Sequence, residues 1–458
     1  MIRENKLYDE LVVGESATIK RVCTSRDLYV FAHASGSLNP LHLPEDDHDD
    51  LDAVAPSMWI GALTSSVLGN ILPGPGTLYR AQSLSFNKRA RLGDELTVTV
   101  TVREKKPQNV VAFDTIVTRQ DGKTVAEGVA EVLAPVKKVH LEDAEIPELV
   151  LEQHHHFDRL IAACEGLPPI LTAVAAPEDD ASLGGALLAA QHGIIEPVLI
   201  GSEAKIRAVA EEQGDDLNGL RIIDVPNHKA AAIKAVEMAR MGEVGAVMKG
   251  HMHTSDLLSQ IVKKGTGLRT DRRMSHAFIM DVPGLDHMLI VTDAAVNILP
   301  DLKAKVSITQ NAIDVARAIG VEVPKVGILS AVETVDPAIP STLDAAALSK
   351  MADRKQITGG IVDGPLAMDN AMDVEAARTK GITSLVAGHA DVLVVPNLEA
   401  GNMVAKELAF VAHAEAAGIV LGATHPVILT SRADGEKARL ASCAIAALYS
   451  QWKPEGGH

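Results

Sequence analysis

Polar and apolar residues alternate with a period of two over residues 95–104 (ELTVTVTVRE), 109–118 and 124–132. Successive side chains of a strand point to opposite faces, so this pattern predicts three half-buried strands. Asp121-Gly122, between the last two, fits a hairpin turn, where glycine accepts the positive φ that other residues resist. Upstream, residues 54–72 form an uncharged run followed by Pro-Gly-Pro-Gly. The run approaches membrane-span length, but Ser57, Thr64, Ser65, Ser66, Gly69 and Asn70 interrupt it, which predicts a buried helix rather than a span. A long helix followed by an antiparallel meander predicts an α+β unit over residues 1–137, a sheet wrapped around a helix.

From residue 138 the texture changes. Residues 138–155 are charged and run through Gln153-His154-His155 into His156, which reads as a linker entering a first helix. A His-His-His run invites a metal, yet adjacent helical positions do not face one another, so no metal site is expected there. Beyond it, short apolar runs at 170–175, 196–200, 246–248, 288–292, 326–330, 392–395 and 427–430 alternate with Ala-rich helices. This order predicts an α/β unit with a parallel, doubly wound sheet. The roughly 300 residues involved are more than one core comfortably holds, which predicts two lobes with a cleft between them.

The chain of 458 residues is 47% hydrophobic but only 3% aromatic, so its cores must be built from Ala, Val, Leu and Ile. A net charge of −17 argues against a nucleic-acid footprint, which needs clustered excess Lys and Arg. An anionic substrate therefore needs local basic patches. Cys23, Cys164 and Cys443 are widely spaced and odd in number, which supports neither a disulfide framework nor a zinc site and fits a reducing cytoplasm. The opening MIRENKLYDELVVGE lacks the apolar core of a signal peptide. G-x-G-x-x-G after a strand, G-x-x-x-x-G-K-[ST] and G-x-S-x-G are absent, which removes the main sequence support for dinucleotide, nucleoside-triphosphatase and serine-hydrolase chemistry.

Candidate chemistry gathers at the predicted strand ends, where open α/β sheets hold their ligands. The run 427–430 leads into Ser431-Arg432, a hydroxyl beside a guanidinium whose fork matches phosphate bidentately; the pair also fits a solvated turn. Ala246-Val247-Met248 leads into Lys249-Gly250-His251-Met252-His253-Thr254, where a cation, a flexible glycine and a hydroxyl suit an anion at a helix start. His251 and His253 make an H-x-H pair, too sparse for a metal without further ligands. Arg269, Arg272 and Arg273 form a basic cluster in an acidic chain, suited to ligand phosphates or to a solvated face. Residues 289–291 lead into Thr292-Asp293-Ala294-Ala295-Val296-Asn297, where Asp293 also fits a helix cap.

Seven blocks occur in order: VMKGHMHT (247–254), SHAFIMDVPG (275–284), VTDAAVNILPDL (291–302), ILSAVETVDPAIPSTLDAAAL (328–348), GGIVDGPLAMDNA (359–371), AGHADVLVVPNLEAGNMVAKEL (387–408) and VILTSRAD (427–434). Together they resemble the phosphate acetyl/butyryltransferase family, and its phosphate butyryltransferase branch in particular. The resemblance implies a two-lobed, doubly wound αβα unit over residues 156–458. Lobe I covers about 156–295 plus 426–458 and lobe II about 296–425, with the active site in the cleft. It implies transfer of a short acyl group, acetyl to butyryl, between CoA and inorganic phosphate. No metal or organic cofactor is implied, CoA and acyl-CoA being substrates.

By the same resemblance Ser431 meets the CoA sulfur and Arg432 the phosphate or the developing oxyanion. Lys249, Thr254, Asp293, Asn297, Ser330, Glu333, Asp363, Pro365, Asn370 and Asn402 fall at substrate-binding positions. Phosphate attack on a thioester carbonyl builds negative charge on oxygen and then on sulfur, which a fixed guanidinium and a hydroxyl donor stabilise. Acetyl-specific relatives carry an aspartate seven residues beyond the serine, where this chain has Ala438. Asp434 and Glu436 are the nearby carboxylates, and the general base is left open. Phosphate is in large part dianionic near neutrality, so a strong base is not required.

Residues 1–137 resemble a second family, the MaoC-like enoyl-CoA hydratases of the hot-dog fold. The similarity rests on SGSLNPLH (35–42), APSMW (55–59), LPGPGTLYRAQSLSF (72–86), LGDELTVTV (92–100) and DGKTVAEGVAEV (121–132). Active members read S-G-D-x-N-P-x-H, the aspartate and histidine activating water. Here Ser37 replaces the aspartate, while Asn39 and His42 remain. A serine supplies no carboxylate base near neutral pH, so this site is expected to be vestigial. The acidic run Glu45, Asp46, Asp47, Asp49, Asp50 and Asp52 follows closely and reads as a solvated segment.

The expected protein is thus a cytoplasmic acyltransferase with an attached hydratase-like domain, a homodimer or higher homo-oligomer without nucleic-acid or membrane partners. Two alternatives stay open: a bifunctional enzyme that also hydrates short trans-2-enoyl-CoA through His42, and a non-catalytic acyl-CoA-binding scaffold. Intact Ser431 and Arg432 argue against the scaffold.

Overall fold

A computed structural model describes residues 3–44, 53–141, 156–430 and 435–452. The chain divides into two compact units, Met1–Leu151 and Glu152–His458. The first contains β1 (Arg3–Glu4), β2 (Ser16–Val22), α1 (Ser25–Ser35), α2 (Ser57–Asn70), β3 (Leu78–Phe86), β4 (Glu95–Lys106), β5 (Val110–Arg119), β6 (Thr124–Leu133) and β7 (His140–Leu141). Five strands make one antiparallel sheet in the order β2-β4-β5-β6-β3, and β1 pairs with β7.

The period-two pattern works as expected in β4, where Leu96, Val98, Val100 and Val102 are buried and the threonines between them are half-buried. Helix α2 turns Trp59, Ile60, Thr64, Val67 and Leu68 inward, and all of these but Thr64 join the strand residues and Phe113 in a single core. Each fully buried aliphatic side chain contributes roughly 1.5–3 kcal/mol. A sheet curled around one helix is the hot-dog arrangement. β2 and β3, which no alternation announces, are the two edge strands, and β3 is exposed along most of its length. An edge strand with no fully buried face has nothing to impose a period.

The second unit contains α3 (His156–Ala162), β8 (Ile170–Ala175), α4 (Asp180–Gln191), β9 (Ile195–Gly201), α5 (Glu203–Gln213), β10 (Arg221–Asp224), α6 (His228–Arg240), β11 (Ala246–Lys249) and α7 (Thr254–Ile261). These are followed by β12 (Ser275–Asp281), β13 (Leu289–Thr292), α8 (Leu302–Ala318), β14 (Lys325–Leu329), α9 (Pro340–Asp353), β15 (Ile361–Leu366), α10 (Met368–Met372) and α11 (Val374–Thr379). The chain ends with β16 (Val392–Val394), α12 (Leu398–Phe410), β17 (Glu415–Leu421), β18 (Val427–Ile428) and α13 (Glu436–Gln451).

All eleven strands form one sheet, ordered β10-β9-β8-β11-β18-β17-β12-β13-β16-β14-β15. The expectation of a parallel sheet needs correction at its centre. β17 runs antiparallel to both β18 and β12, and β12 antiparallel to β13. Each flank is parallel within itself. The flank β10, β9, β8, β11, β18 therefore points one way and the flank β13, β16, β14, β15 the other.

The residues of β12 and β17 explain why sequence reading passed over them. Ser275-His276 opens β12 and Asp281 closes it, yet nearly the whole strand is buried, with Ser275 Oγ accepting from Asn311 Nδ2 at 2.9 Å. In β17, Gly418 sits where a Cβ would stand 2.2 Å from the Leu429 carbonyl, so the close approach to β18 requires glycine. Pro365 lies in β15, which is tolerated because β15 is an edge strand. Helix α13 buries ten consecutive residues, 438–447, and packs against α3, α4, α8 and β17. Its run of Ala, Ser and Cys lets a helix fit with neighbours on every side. Among the described residues no helix is long and apolar enough to cross a membrane.

Candidate active site

β8, β11 and β18 end side by side, with Lys249 level with Ala175 and Met248 level with Ile428. The polar groups that sequence placed after these strands sit at this edge. Gly250 is there because a Cβ would approach the Ala176 carbonyl to 2.3 Å, and the backbone closes with Gly250 and His251 N–H groups donating to Ala175 and Ala176. Lys249 is 3% exposed and its Nζ donates to the Gly250 carbonyl at 3.2 Å. Thr254 is the first residue of α7, whose N-cap His253 makes no side-chain cap.

Ser431 and Arg432, with Ala433 and Asp434, lie outside the described residues. The flanking residues are defined. Thr430, 2% exposed, accepts from the buried Arg439 Nη1 at 2.8 Å, and Gly185 leaves the room that the Arg439 side chain fills. Ala438 is buried in α13, while Glu436 is that helix's exposed first residue.

One cluster at this edge was not singled out by sequence. The Glu178 carboxylate, buried after β8, accepts from the Ser202 N–H (3.0 Å), Lys205 Nζ (2.9 Å) and the His228 ring (3.1 Å). Burial pushes Glu178 up, but these three partners together outweigh it and hold the carboxyl below its ordinary range. His228 in turn stands 6.0 Å from His251, ring centre to ring centre. Glu178 follows a Pro in an acidic stretch, and nothing in that spacing distinguishes a buried carboxylate from a solvated one.

The remaining expected substrate positions follow strands of the opposite flank, so the chain leaves the sheet there in the reverse direction. Asp293, 2% exposed, accepts from the N–H groups of His276, Ala295, Val296 and Asn297 and from Asn297 Nδ2 at 2.5 Å. Its oxygens are fully engaged within the fold. Asn297 donates also to the Met274 carbonyl at 2.8 Å and accepts from Arg273 Nε at 2.7 Å. Ser330 Oγ pairs with Ser341 Oγ at 2.8 Å. Asn370 and Lys380 both donate to Glu333 at 3.2 Å. Asp363 accepts from the Gly364 N–H beside Pro365 in β15.

Asn402 follows Gly401, which lets α12 approach the Asp293 backbone where a Cβ would come within 2.8 Å. Lys249 and Thr254 stand at the carboxyl end of β11, whereas Asp293 and Asn297 follow β13, Ser330 and Glu333 follow β14 and Asn370 follows β15, strands that run the opposite way; Asp363 and Pro365 lie within β15 and Asn402 within α12.

In the first unit, Asn39 Oδ1 accepts from the Leu41 N–H at 3.2 Å, His42 Nδ1 pairs with the Val54 carbonyl at 2.7 Å, and the Ser37 N–H reaches Ser35 Oγ at 3.4 Å. The acidic run of residues 45, 46, 47, 49, 50 and 52 lies outside the described residues, as do Gln153, His154 and His155. His156 opens α3 and its Nε2 pairs with the Leu285 carbonyl. Among the described residues no group of three or more His, Cys, Asp or Glu is placed to hold a metal.

Residues 226–447 match the family described as "Phosphate acetyl/butaryl transferase". A phosphate acetyltransferase from Rhizobium meliloti is 59% identical over 298 residues, 65% of this chain and 94% of that protein. The chain belongs to the phosphate acetyl/butyryltransferase family. A phosphate butyryltransferase from Clostridium acetobutylicum is 43% identical over 294 residues, covering 64% of this chain and 98% of that protein. Among solved structures, a branched-chain phosphotransacylase from Enterococcus faecalis is similar with TM-score 0.54 and 28% identity, over 62% of this chain and 99% of that one. An R-hydratase from Pseudomonas aeruginosa is 40% identical over 33% of this chain and 99% of its own, with TM-score 0.31.

Proposed function

We propose that this member of the family transfers a short acyl group, acetyl to butyryl, between CoA and inorganic phosphate. What supports the reading above all is the 59% identity to a phosphate acetyltransferase over nearly that protein's whole length. In this reading phosphate oxygen attacks the thioester carbonyl, the new C–O bond forms as the C–S bond breaks, and CoA leaves as thiolate. Arg432 holds phosphate and the growing oxyanion, and Ser431 donates to the sulfur.

No metal or organic cofactor takes part. Ala438 supplies no base, so a dianionic phosphate attacks directly, and the imidazoles of His228 and His251 are described groups at that edge able to take or return a proton. The protein works as a cytoplasmic homodimer or larger homo-oligomer. Phosphate-dependent release of CoA from acetyl-CoA or butyryl-CoA tests the reading. Arg432→Gln is expected to lose roughly 100-fold or more. Release that ignores phosphate, or survives the substitution unchanged, overturns it.

The first unit retains the hydratase scaffold without its aspartate and serves acyl-CoA binding or assembly rather than hydration. Crotonyl-CoA should not be hydrated measurably. Hydration that disappears in His42→Ala would show instead a second, working active site.

A further inference from the structure

Two residues make up β18, and just beyond it the Leu429 N–H still donates to the Gly418 carbonyl of β17 at 3.1 Å. Thr430 follows, buried, and one peptide bond joins it to Ser431. Its hydroxyl accepts from Nη1 of Arg439 at 2.8 Å, and that arginine is itself only 3% exposed. Arg439 therefore extends the hold of the sheet by one residue, to the position before Ser431.

A cation in that place is unfavourable on several counts. Burial strips the guanidinium of its water. Arg439 is the fourth residue of α13, at the end whose dipole disfavours positive charge. Room for it also requires Gly185 inside α4, because a Cβ there would stand 2.7 Å from Arg439 Cδ, and an interior glycine weakens a helix relative to alanine. A methionine at 439 would fill similar space without the first two penalties, so packing alone does not account for an arginine.

The surroundings hold the arginine in one place. Asp179 caps α4, accepting from the Ser182 N–H at 2.9 Å and from the Ser182 hydroxyl. Burial pushes its carboxyl up, but the Ser182 bonds and the nearby charges of His251 and Arg439 outweigh this and hold it below the ordinary range. Ser442, three residues beyond Arg439 and so on the same face of α13, accepts from the Gly418 N–H at 3.1 Å and donates to the Ala438 carbonyl at 2.9 Å. One face of α13 thus hydrogen-bonds β17 at Gly418 and the chain leaving β18 at Thr430.

We propose, resting on the transferase reading, that Arg439 is a positioning residue for acyl transfer, fixing through Thr430 the point from which the Ser431-Arg432 pair departs. Arg439 itself exchanges no proton and forms no bond with substrate. A hydroxyl that must meet the thioester sulfur and a guanidinium that must meet phosphate tolerate little displacement, since a shift on the order of 1 Å can slow a reaction roughly 100-fold. The hydrogen bond to Thr430 keeps that displacement small.

The test is steady-state kinetics of the full chain, following phosphate-dependent CoA release from acetyl-CoA and butyryl-CoA, with unfolding midpoints measured alongside. Arg439→Met should lower kcat roughly 10- to 100-fold, with little change in KM for phosphate or acyl-CoA, in protein that still unfolds cooperatively. Thr430→Val removes the acceptor while keeping the shape and should show a similar kcat loss. The double variant should lose no more than the worse single one, since both substitutions break one interaction. Arg439→Lys and Thr430→Ser, which keep a donor and the hydroxyl, should each recover part of the loss. Should Arg439→Met fail to fold, Thr430→Val against Thr430→Ser decides the matter. A natural kcat in Arg439→Met or in Thr430→Val overturns the role, as do losses that multiply in the double variant. So does a raised KM at natural kcat, which marks lost binding rather than lost alignment. Absence of phosphate-dependent release in the natural chain refutes the transferase reading and this role with it, whereas normal release with unaffected variants refutes the role of Arg439 alone.

Discussion

Asp293 shows at the scale of one residue how a motif position acquires a role that its neighbours decide. Sequence offers a carboxylate after a strand, equally suited to a substrate or to a cap. In the fold it is 2% exposed and accepts five hydrogen bonds, so it organises the 293–297 turn. Asp293→Ala strands those donors in a dry interior and is expected to cost on the order of 3–5 kcal/mol, read as a lowered unfolding midpoint of the second unit. An unchanged midpoint would show that the turn does not need the carboxylate.

His276, wholly buried beside it, is a second case. Burial pushes its imidazole down to about 4, against the upward pull of Asp293. The unfolded chain holds this proton up to about pH 6.5, so between the two values the unfolded state binds more protons. The stability is fully present above about pH 6.5 and is lost as pH falls toward the lowered folded-state value. Denaturant titrations at several pH values should give a shallower decline for His276→Gln than for the natural chain; equal slopes would remove His276 as the cause.

Among elements, strands with one buried face were legible by alternation, and strands buried on both faces were legible only where their run is apolar throughout. β4 announces itself through Leu96, Val98, Val100 and Val102, because a core on one side and water on the other imposes the period. β12 and β17 at the sheet centre meet protein on both faces, so Ser275, His276 and Gly418 sit among apolar residues without any alternation. β3 fails for the opposite reason, its exposed edge imposing no pattern. Close approach leaves a clearer mark than polarity does. At Gly128 a Cβ would lie 1.9 Å from the Ser83 carbonyl, where β6 pairs with β3. Gly128→Ala is expected to part these strands and unfold the first unit, visible as loss of its cooperative transition. A folded first unit with the pairing intact would refute that account.

For the whole molecule, the sequence by itself determined the transferase family, the helix-and-meander design of the first unit and the α/β alternation of the second. Those features are local: period, turn chemistry and ordered motif blocks are written in neighbouring residues. Blocks that share one family also suggested one cleft, and here only tertiary structure could decide. Whether two strands face the same way depends on which strands lie between them, and β12 and β17 reverse the direction across the sheet centre. That reversal sends Lys249 and Thr254 to one edge and Asp293, Asn297 and their companions to the other. It also brings Asn297 to Arg273, a basic residue that sequence could read only as a solvated face or a phosphate contact. The reason is physical: a strand's residues fix its own burial, whereas its direction among neighbours is fixed by backbone pairing and connections distant in the chain.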